Sequence, residues 1–238
     1  MFNRARDHAI SPAKLPYTNV PGHWYDKDYF TSTVKSNWEM PYDWEHFGHI
    51  FEGWAEFLAR GFPEAATFLD AGCAVGLLER AFIEYNEHHG FSYKVEGFDH
   101  SPYAINNADP KATDLIQLAG IDDFSFRRWG IFPKRYDVLV ALDIFGHLTE
   151  AQVTRFLRRS RRYINDCLFA VIELDDERQR WEPSHINLQN RAWWDAKLKE
   201  CGWKQDNRTR IKQAEAMDSR FVKSCKVEIF IYSADNAI

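Results

Sequence analysis

Short apolar runs alternate along the chain with segments in which apolar residues recur every three or four positions. The runs are typical of buried strands, and the spacing of three or four is typical of helices that bury one face. Strands are predicted at 68–69, 93–98, 114–120, 136–142, 167–174 and 226–233. Helices are predicted at 42–60, 77–85, 149–164 and 190–201 and after Pro102, and three of them follow the N-cap residues Ser101, Thr149 and Asn190. This alternation predicts an α/β fold, a doubly wound and mostly parallel sheet with helices on both faces.

The first 41 residues do not follow this alternation. Prolines at positions 12, 16 and 21, followed by Gly22, predict an irregular arm. The stretch 23–47 is unusually aromatic, and we expect most of these side chains to pack in a core. We therefore divide the chain into an N-terminal arm and aromatic segment at 1–41 and a single α/β domain at 42–238.

Composition narrows the classes of partner. The formal net charge is -5 at pH 7, which does not favour nucleic-acid binding. No apolar stretch reaches the length of a membrane span, and the N-terminus lacks the apolar centre of a signal peptide. The four cysteines are scattered without paired spacing, as expected of reduced thiols. We therefore expect a cytoplasmic protein without membrane contact, of undetermined oligomeric state.

The turn after the first strand is rich in small residues and reads DAGCAVG from Asp70 to Gly76. In an open parallel sheet, ligands bind beyond the carboxyl ends of the strands, often at this first turn. A dinucleotide site requires Gly-x-Gly-x-x-Gly, but Ala74 stands at the middle glycine and Gly76 comes too early for the third. A phosphate-binding loop requires a lysine followed by serine or threonine, where this chain has two leucines. The turn therefore predicts a ligand that approaches the backbone closely but carries no pyrophosphate.

Two acids follow the first two predicted strands. The carboxylate of Asp70 repels a phosphate and attracts an ammonium group, and Asp99 can accept hydrogen bonds from two ribose hydroxyls. A ligand with a ribose, an ammonium group and no phosphate is S-adenosyl-L-methionine. We therefore predict this molecule as the cofactor and S-adenosyl-L-homocysteine as its product.

The same motifs resemble those of class I S-adenosylmethionine-dependent methyltransferases. LDAGCAVG, VEGFDHSPYAI and YDVLVALDIFGHL are similar to the first, second and fourth-strand motifs of that family. The chain also resembles a subgroup with an N-terminal Tyr-x-x-x-Tyr-Phe segment, here YDKDYF at 25–30. That subgroup has a Pro-Ser/Thr-His and Arg-x-Trp-Trp block, here EPSHINLQNRAWW at 182–194. The resemblance covers roughly 24–203 and implies a Rossmann-like sheet of about seven strands.

The resemblance implies cofactor-binding roles along the carboxyl edge of the sheet. Asp143 is expected to face the methionine part of the donor, and a less distinct third motif offers Asp122 or Asp123 to the adenine, of which we prefer Asp122. Aromatic residues of the arm are expected either to close over the sulfonium or simply to pack the arm on the domain. The complete set of expected cofactor-binding residues is Tyr25, Tyr29, Phe30, Asp70, Gly72, Cys73, Ala74, Gly76, Asp99, His100, Asp122 and Asp143.

Two histidines are candidates for catalysis. Methyl transfer needs a positioned nucleophile, and it needs a general base only where the acceptor must lose a proton. His185 follows the fifth strand and is expected either to contact the substrate or to order its loop. His147 is the second candidate, with the alternative that it fixes the turn after Asp143. The family often has a glutamate before this histidine, where the chain has Gly146. No metal site is predicted.

Three functional hypotheses follow. The first is a methyltransferase that acts on an oxygen or nitrogen of a small molecule or saccharide, since the subgroup is often associated with carbohydrate and secondary-metabolite pathways. The second is a non-catalytic S-adenosylmethionine-binding partner or regulatory protein, which Gly146 leaves open. The third is an NAD-dependent oxidoreductase, and the missing middle glycine argues against it.

Overall fold

The computed structural model describes residues 19–31, 35, 40–128, 132–175, 182–206 and 228–234. Within these ranges, seven strands form one sheet. They are β1 (Thr67–Ala71), β2 (Lys94–Asp99), β3 (Ile116–Leu118), β4 (Tyr136–Leu142), β5 (Ile164–Ile172), β6 (Lys204–Gln205) and β7 (Glu228–Ser233). Most of the predicted arm, up to residue 18, and the first two residues of the last predicted strand lie outside the described residues.

The strands are arranged in the order β3-β2-β1-β4-β5-β7-β6. Strands β1 to β5 pair in parallel, whereas β7 runs antiparallel to both β5 and β6. The predicted mostly parallel, doubly wound sheet is therefore confirmed. Strand order reverses between β1 and β4, and in such sheets a ligand binds beyond this switch point. A separate two-strand ladder joins Arg127–Arg128 to Phe132–Pro133.

Helices lie before and between these strands. The described α-helices are α1 (Lys27–Thr31), α2 (Trp44–Gly61), α3 (Leu77–His89), α4 (Pro102–Asn106), α5 (Glu150–Ser160) and α6 (Arg191–Glu200). Single 3-10 turns occur at Gly22–Trp24, Thr113–Leu115 and Phe145–His147. The side chains of Ser101, Thr149 and Asn190 cap α4, α5 and α6 as predicted, because each accepts a backbone N–H that the first turn leaves unpaired.

Two apolar cores lie on opposite faces of the sheet. In β4, Leu139 and Ala141 pack in the first core. Val138 and Val140 pack in the second. Side chains alternate between the two faces of a strand, so a strand covered on both sides needs apolar residues at successive positions. The uninterrupted apolar runs of the sequence are therefore a direct consequence of helices on both faces.

The described part of the N-terminal aromatic segment packs over the carboxyl edge of the sheet. Tyr25, Tyr29 and Phe30 are buried and belong to a third apolar cluster. Leu77 at the start of α3 and Ala104 in α4 belong to the same cluster. The aromatic segment thus covers the edge at which a ligand is expected.

Three of the four cysteines fall within the described residues. Cys73, Cys167 and Cys201 are buried free thiols, and Cys225 lies outside the description. Cys167 belongs to β5 and packs in the second core, which accounts for its burial. Among the described helices, none has the length and apolar character needed to cross a membrane.

Candidate active site

A cavity of about 980 Å³ opens beyond the carboxyl ends of β1, β2 and β4. Its walls are the N-terminal aromatic segment, the turn after β1, the loop after β3 and the turn after β4. Small-molecule sites have volumes of roughly 300–1,000 Å³, so this cavity has room for a donor and an acceptor together. The predicted cofactor-binding residues in its walls are Tyr25, Tyr29, Phe30, Gly72, Ala74, Asp99, His100, Asp122 and Asp143.

Asp70, Cys73 and Gly76 lie behind the cavity wall. Burial, with a further contribution from the charge of Asp99, raises the pKa of Asp70 to about 8. This raised pKa disfavours the charged form of Asp70 unless a cation lies beside it. Burial also raises the pKa of the Cys73 thiol, which disfavours the reactive thiolate. These residues shape the wall from beneath.

The turn after β1 has a left-handed backbone at three positions. Gly72, Ala74 and Gly76 have φ values of 83°, 49° and 84°. A Cβ atom on Gly76 would lie 2.6 Å from the Cβ of Ala112, so only glycine fits there. At Ala74 the side chain's own Cβ makes the left-handed conformation unfavourable by roughly 1–2 kcal/mol. Position 74, where a dinucleotide motif has its middle glycine, is thus a site of backbone strain.

Ala74→Gly is expected to raise the free energy of unfolding by about 0.5–1 kcal/mol, since relief of the left-handed strain exceeds the added entropy of the unfolded chain. Urea denaturation measures the change. As a matched control, Ala196→Gly removes a methyl from an exposed position inside α6 and is expected to lower stability by about 1 kcal/mol. A destabilised Ala74→Gly variant would contradict the prediction.

Asp99 ends β2 and lies at the centre of the cavity wall. Its Oδ2 accepts a hydrogen bond from the backbone N–H of Ala74 at 3.0 Å, and its Oδ1 accepts one from Ser101 at 2.7 Å. Each carboxylate oxygen can accept a further bond, so the group remains able to bind hydroxyls. The ring of His100 lies beside it against Tyr25, with ring centroids 5.0 Å apart. The predicted ribose acid, Asp99, and the expected cofactor-binding residue His100 are therefore side by side.

Asp122 lies on the rim of the cavity, but its carboxylate is engaged by α5. Arg155 donates to it from Nε at 3.0 Å and from Nη2 at 2.9 Å. Hydrogen bonds from Arg155 hold the pKa of Asp122 below its ordinary value. Arg159 also donates to the backbone carbonyls of Ile121 and Asp122. The arginines thus anchor this loop, and a contact of Asp122 with adenine remains a prediction.

Tyr25, Tyr29 and Phe30 serve the core and the cavity at once. The rings of Tyr25 and Tyr29 meet edge to face with centroids 4.8 Å apart, and Phe30 stacks on Tyr103 at 5.7 Å. All three are buried and also line the cavity. These rings can therefore pack the arm on the domain and also present an aromatic face to a ligand. From the sequence we had expected one role or the other.

Three polar side chains meet beside the turn that follows β4. They are Asp143, His147 and His185, and we call them the His-Asp cluster. One oxygen or nitrogen atom of each lies within 4.8 Å of the others. His147 lines the cavity, whereas the side chain of His185 is only 3% exposed and lies behind it. Nε2 of His185 is 3.1 Å from Oε2 of Glu173. Such an arrangement can hold a hydroxyl or amino group, or a cation.

Burial governs the charges of this cluster. It holds the pKa of His147 well below its ordinary value, with a further contribution from His185, so that His147 is neutral near pH 7. Burial also raises the pKa of Asp143, and the charges of Glu173 and Glu182 raise it further. Several carboxyl groups are therefore crowded into a space that favours a bound cation.

Sequence reasoning did not single out Glu173, although it lines the cavity and contacts His185. The available signal was its position directly after the apolar run of β5, which matches that of Asp143 after β4. Carboxyl ends of neighbouring parallel strands meet at one edge of a sheet, so acids that follow such strands converge.

The sequence matches the family model described as a methyltransferase domain over residues 44–217. No curated protein matches the sequence significantly.

Solved structures show the same fold at low sequence identity. The plantazolicin methyltransferase BpumL, solved with SAH, has 12% identity and a TM-score of 0.51 over 80% of this chain and 85% of its own. Magnesium protoporphyrin IX methyltransferase from Synechocystis PCC 6803, solved with SAM, has 16% identity and a TM-score of 0.51 over 79% and 81%. A proposed O-methyltransferase from Nostoc punctiforme PCC 73102 has 12% identity and a TM-score of 0.55 over 82% and 61%.

Proposed function

The chain belongs to the methyltransferase-domain family of enzymes, and from this premise we propose that it transfers a methyl group from S-adenosylmethionine to an oxygen or nitrogen of a small molecule or saccharide. The observation that carries the proposal is the position of Asp99. Its carboxylate lies at the end of β2, beside a left-handed turn and in the wall of a cavity large enough for two small molecules.

The chemistry of the cavity wall fits this donor. Asp99 offers carboxylate oxygens to the ribose hydroxyls, as is usual for nucleosides bound after the second strand of such sheets. Asp143 has a buried Oδ1 without a hydrogen-bond partner among the described residues, which suits an ammonium group. The turn after β1 carries no lysine for phosphate. An ammonium-bearing, phosphate-free nucleoside fits better than a dinucleotide.

The bound donor would supply an electrophilic methyl group on a sulfonium. Tyr25 and Tyr29, which cover the cavity, exclude water and present aromatic faces that attract a cationic group. Positioning of the acceptor close to this methyl contributes most of the catalysis, because a reaction between held partners avoids the entropy cost of their encounter. His147 faces the cavity in its neutral form and can accept a proton or a hydrogen bond from the acceptor.

Gly146 stands where the family pattern often has a glutamate. A Cβ atom at this position would lie 3.5 Å from Cδ2 of His185, an ordinary van der Waals contact. The polar groups that line the cavity near this position are therefore His147 and Glu173 rather than a side chain at position 146.

We expect S-adenosylmethionine and S-adenosylhomocysteine to bind, and NAD to bind at least about 100-fold more weakly, a difference of about 2.7 kcal/mol. The physical reason is a turn with too few glycines for a pyrophosphate to approach. Isothermal titration calorimetry of the three ligands on the same preparation measures this ratio. Equal or tighter binding of NAD would favour the oxidoreductase hypothesis instead.

A further inference from the structure

The three residues of the His-Asp cluster come from two different loops that the backbone ties together. Asp143 and His147 belong to the turn after β4, and His185 belongs to the loop after β5. The backbone N–H groups of Ile186 and Asn187 both donate to the carbonyl oxygen of Gly146, at 2.9 and 3.0 Å. The two loops are thus held in register directly beside the side chains in question, so the cluster is preorganised.

The cluster also shows signs of a built site rather than of chance proximity. Asp143 is a non-glycine residue with a φ of 53°, a strained conformation that is concentrated at functional sites. Asp143 Oδ1 and His147 Nδ1 are buried without a hydrogen-bond partner among the described residues. A buried polar atom without a partner is costly, so each of the two atoms calls for a ligand. The ammonium group of the donor can satisfy Asp143 Oδ1, but His147 Nδ1 needs a different partner.

We infer that Asp143, His147 and His185 bind one divalent transition-metal cation, of the Zn²⁺, Co²⁺ or Mn²⁺ type, at the acceptor end of the cavity. One ligand atom of each residue lies within 4.8 Å of the others, so small side-chain movements bring all three to one ion. Two imidazoles and one carboxylate are a common ligand set for such ions, and they leave coordination positions open.

Glu173 contacts a proposed metal ligand, His185, rather than the cation itself. Its Oε2 lies 3.1 Å from Nε2 of His185, and carboxylates beside ligand histidines orient the ring and strengthen its binding. Asp143 and Glu173 together carry up to two negative charges, enough to balance a divalent cation next to a positively charged donor. A carboxylate has two oxygens, so Asp143 can bind the ion through one and retain the other for the donor.

The site specifies a hydroxyl acceptor, and this part of the inference rests on the proposed function. A hydroxyl oxygen that binds to the cation has a lowered pKa. With His147 bound to the ion, the hydroxyl proton passes to water rather than to that histidine. The oxygen lone pair then forms a bond to the methyl carbon while the carbon–sulfur bond breaks, and that electron pair remains on sulfur as a neutral thioether. Phenols and vicinal diols are the acceptors best suited to such an open position.

The test uses the full-length protein without an affinity tag, stripped of metal by a chelator. Co²⁺ and Zn²⁺ are titrated by calorimetry, and the visible absorption of bound Co²⁺ reports nitrogen ligands. We expect the parent to bind one equivalent of cation. Asp143→Asn and His185→Gln should weaken cation binding by more than roughly 10- to 100-fold, the loss typical when a residue that only contacts a metal ligand is replaced. Asparagine tolerates the left-handed backbone at position 143, so this variant is expected to fold.

His88→Ala is the matched control, because His88 is exposed in a groove with other histidines between α2 and α3, away from the cluster. It should bind Co²⁺ as the parent does. Catechol is then added as a hydroxyl probe, and a change in the Co²⁺ spectrum is expected at an open coordination position. An unchanged spectrum would overturn the acceptor assignment.

Parent protein that binds no cation, or variants at positions 143 and 185 that bind it as tightly as the parent, would overturn the metal site. Binding of S-adenosylhomocysteine is measured on the same metal-free samples. If S-adenosylhomocysteine binds but no cation does, only the metal site is refuted. If S-adenosylhomocysteine binds to neither the metal-free nor the metal-loaded parent, the proposed function is refuted.

Discussion

Replacement of Asp99 with alanine is expected to weaken the binding of S-adenosylhomocysteine by about 100-fold, or about 2.7 kcal/mol. Two effects add in this variant. Hydrogen bonds from ribose hydroxyls to a charged acceptor contribute roughly 1.5–3 kcal/mol. The Asp99 carboxylate also holds the backbone N–H groups of Ala74 and Ser101, so its removal loosens the turn that faces the ligand. Calorimetric titration of folded variant and parent measures the loss.

Two further variants make this result specific. Asp99→Asn retains the shape and one acceptor oxygen, so its affinity should fall between those of the parent and Asp99→Ala. Glu64→Ala removes a carboxylate from an exposed position outside the cavity lining and should change the affinity little. If Asp99→Ala folds normally and binds as tightly as the parent, Asp99 does not contact the ribose and the central support for the proposal is lost.

The other large effect is expected at the His-Asp cluster. His147→Ala should lower turnover by about 10²–10⁴-fold while it leaves the affinity for S-adenosylhomocysteine nearly unchanged. The reason is that His147 faces the cavity beside Asp143, whereas the predicted ribose contact is made by Asp99, which holds the turn after β1. Turnover is measured as transfer of labelled methyl to an acceptor identified by screening, and affinity is measured on the same sample.

A second substitution separates a direct role from an indirect one. His185 is almost fully buried behind His147, with ring centroids 4.5 Å apart, so it acts on an acceptor through its neighbour or through a shared ion. His185→Ala is therefore also expected to lower turnover without loss of donor affinity. His88→Ala, at an exposed position, should alter neither quantity. Parent-like turnover of His147→Ala would exclude this histidine from catalysis.

The sequence alone determined where several strands and helices of the fold lie along the chain. Strand β4 begins and ends at the predicted residues 136 and 142, because a run that is apolar without interruption is required wherever both faces of a strand are covered. The caps Ser101, Thr149 and Asn190 were also predictable, because each depends on one side chain and a backbone N–H three positions later. Such features are set by residues that are neighbours in the chain.

The composition of the site depended on residues that are distant in the chain. The sequence ranked His185 before His147, but the path of the loop after β5 places His185 behind the cavity wall. Glu173 joins this group through the parallel pairing of β4 and β5, and the pairing of Asp122 with Arg155 depends on how α5 packs. Local sequence patterns indicate which backbone conformation a segment adopts. Which side chains converge depends on strand order and on packing between segments, and only the tertiary structure decides that.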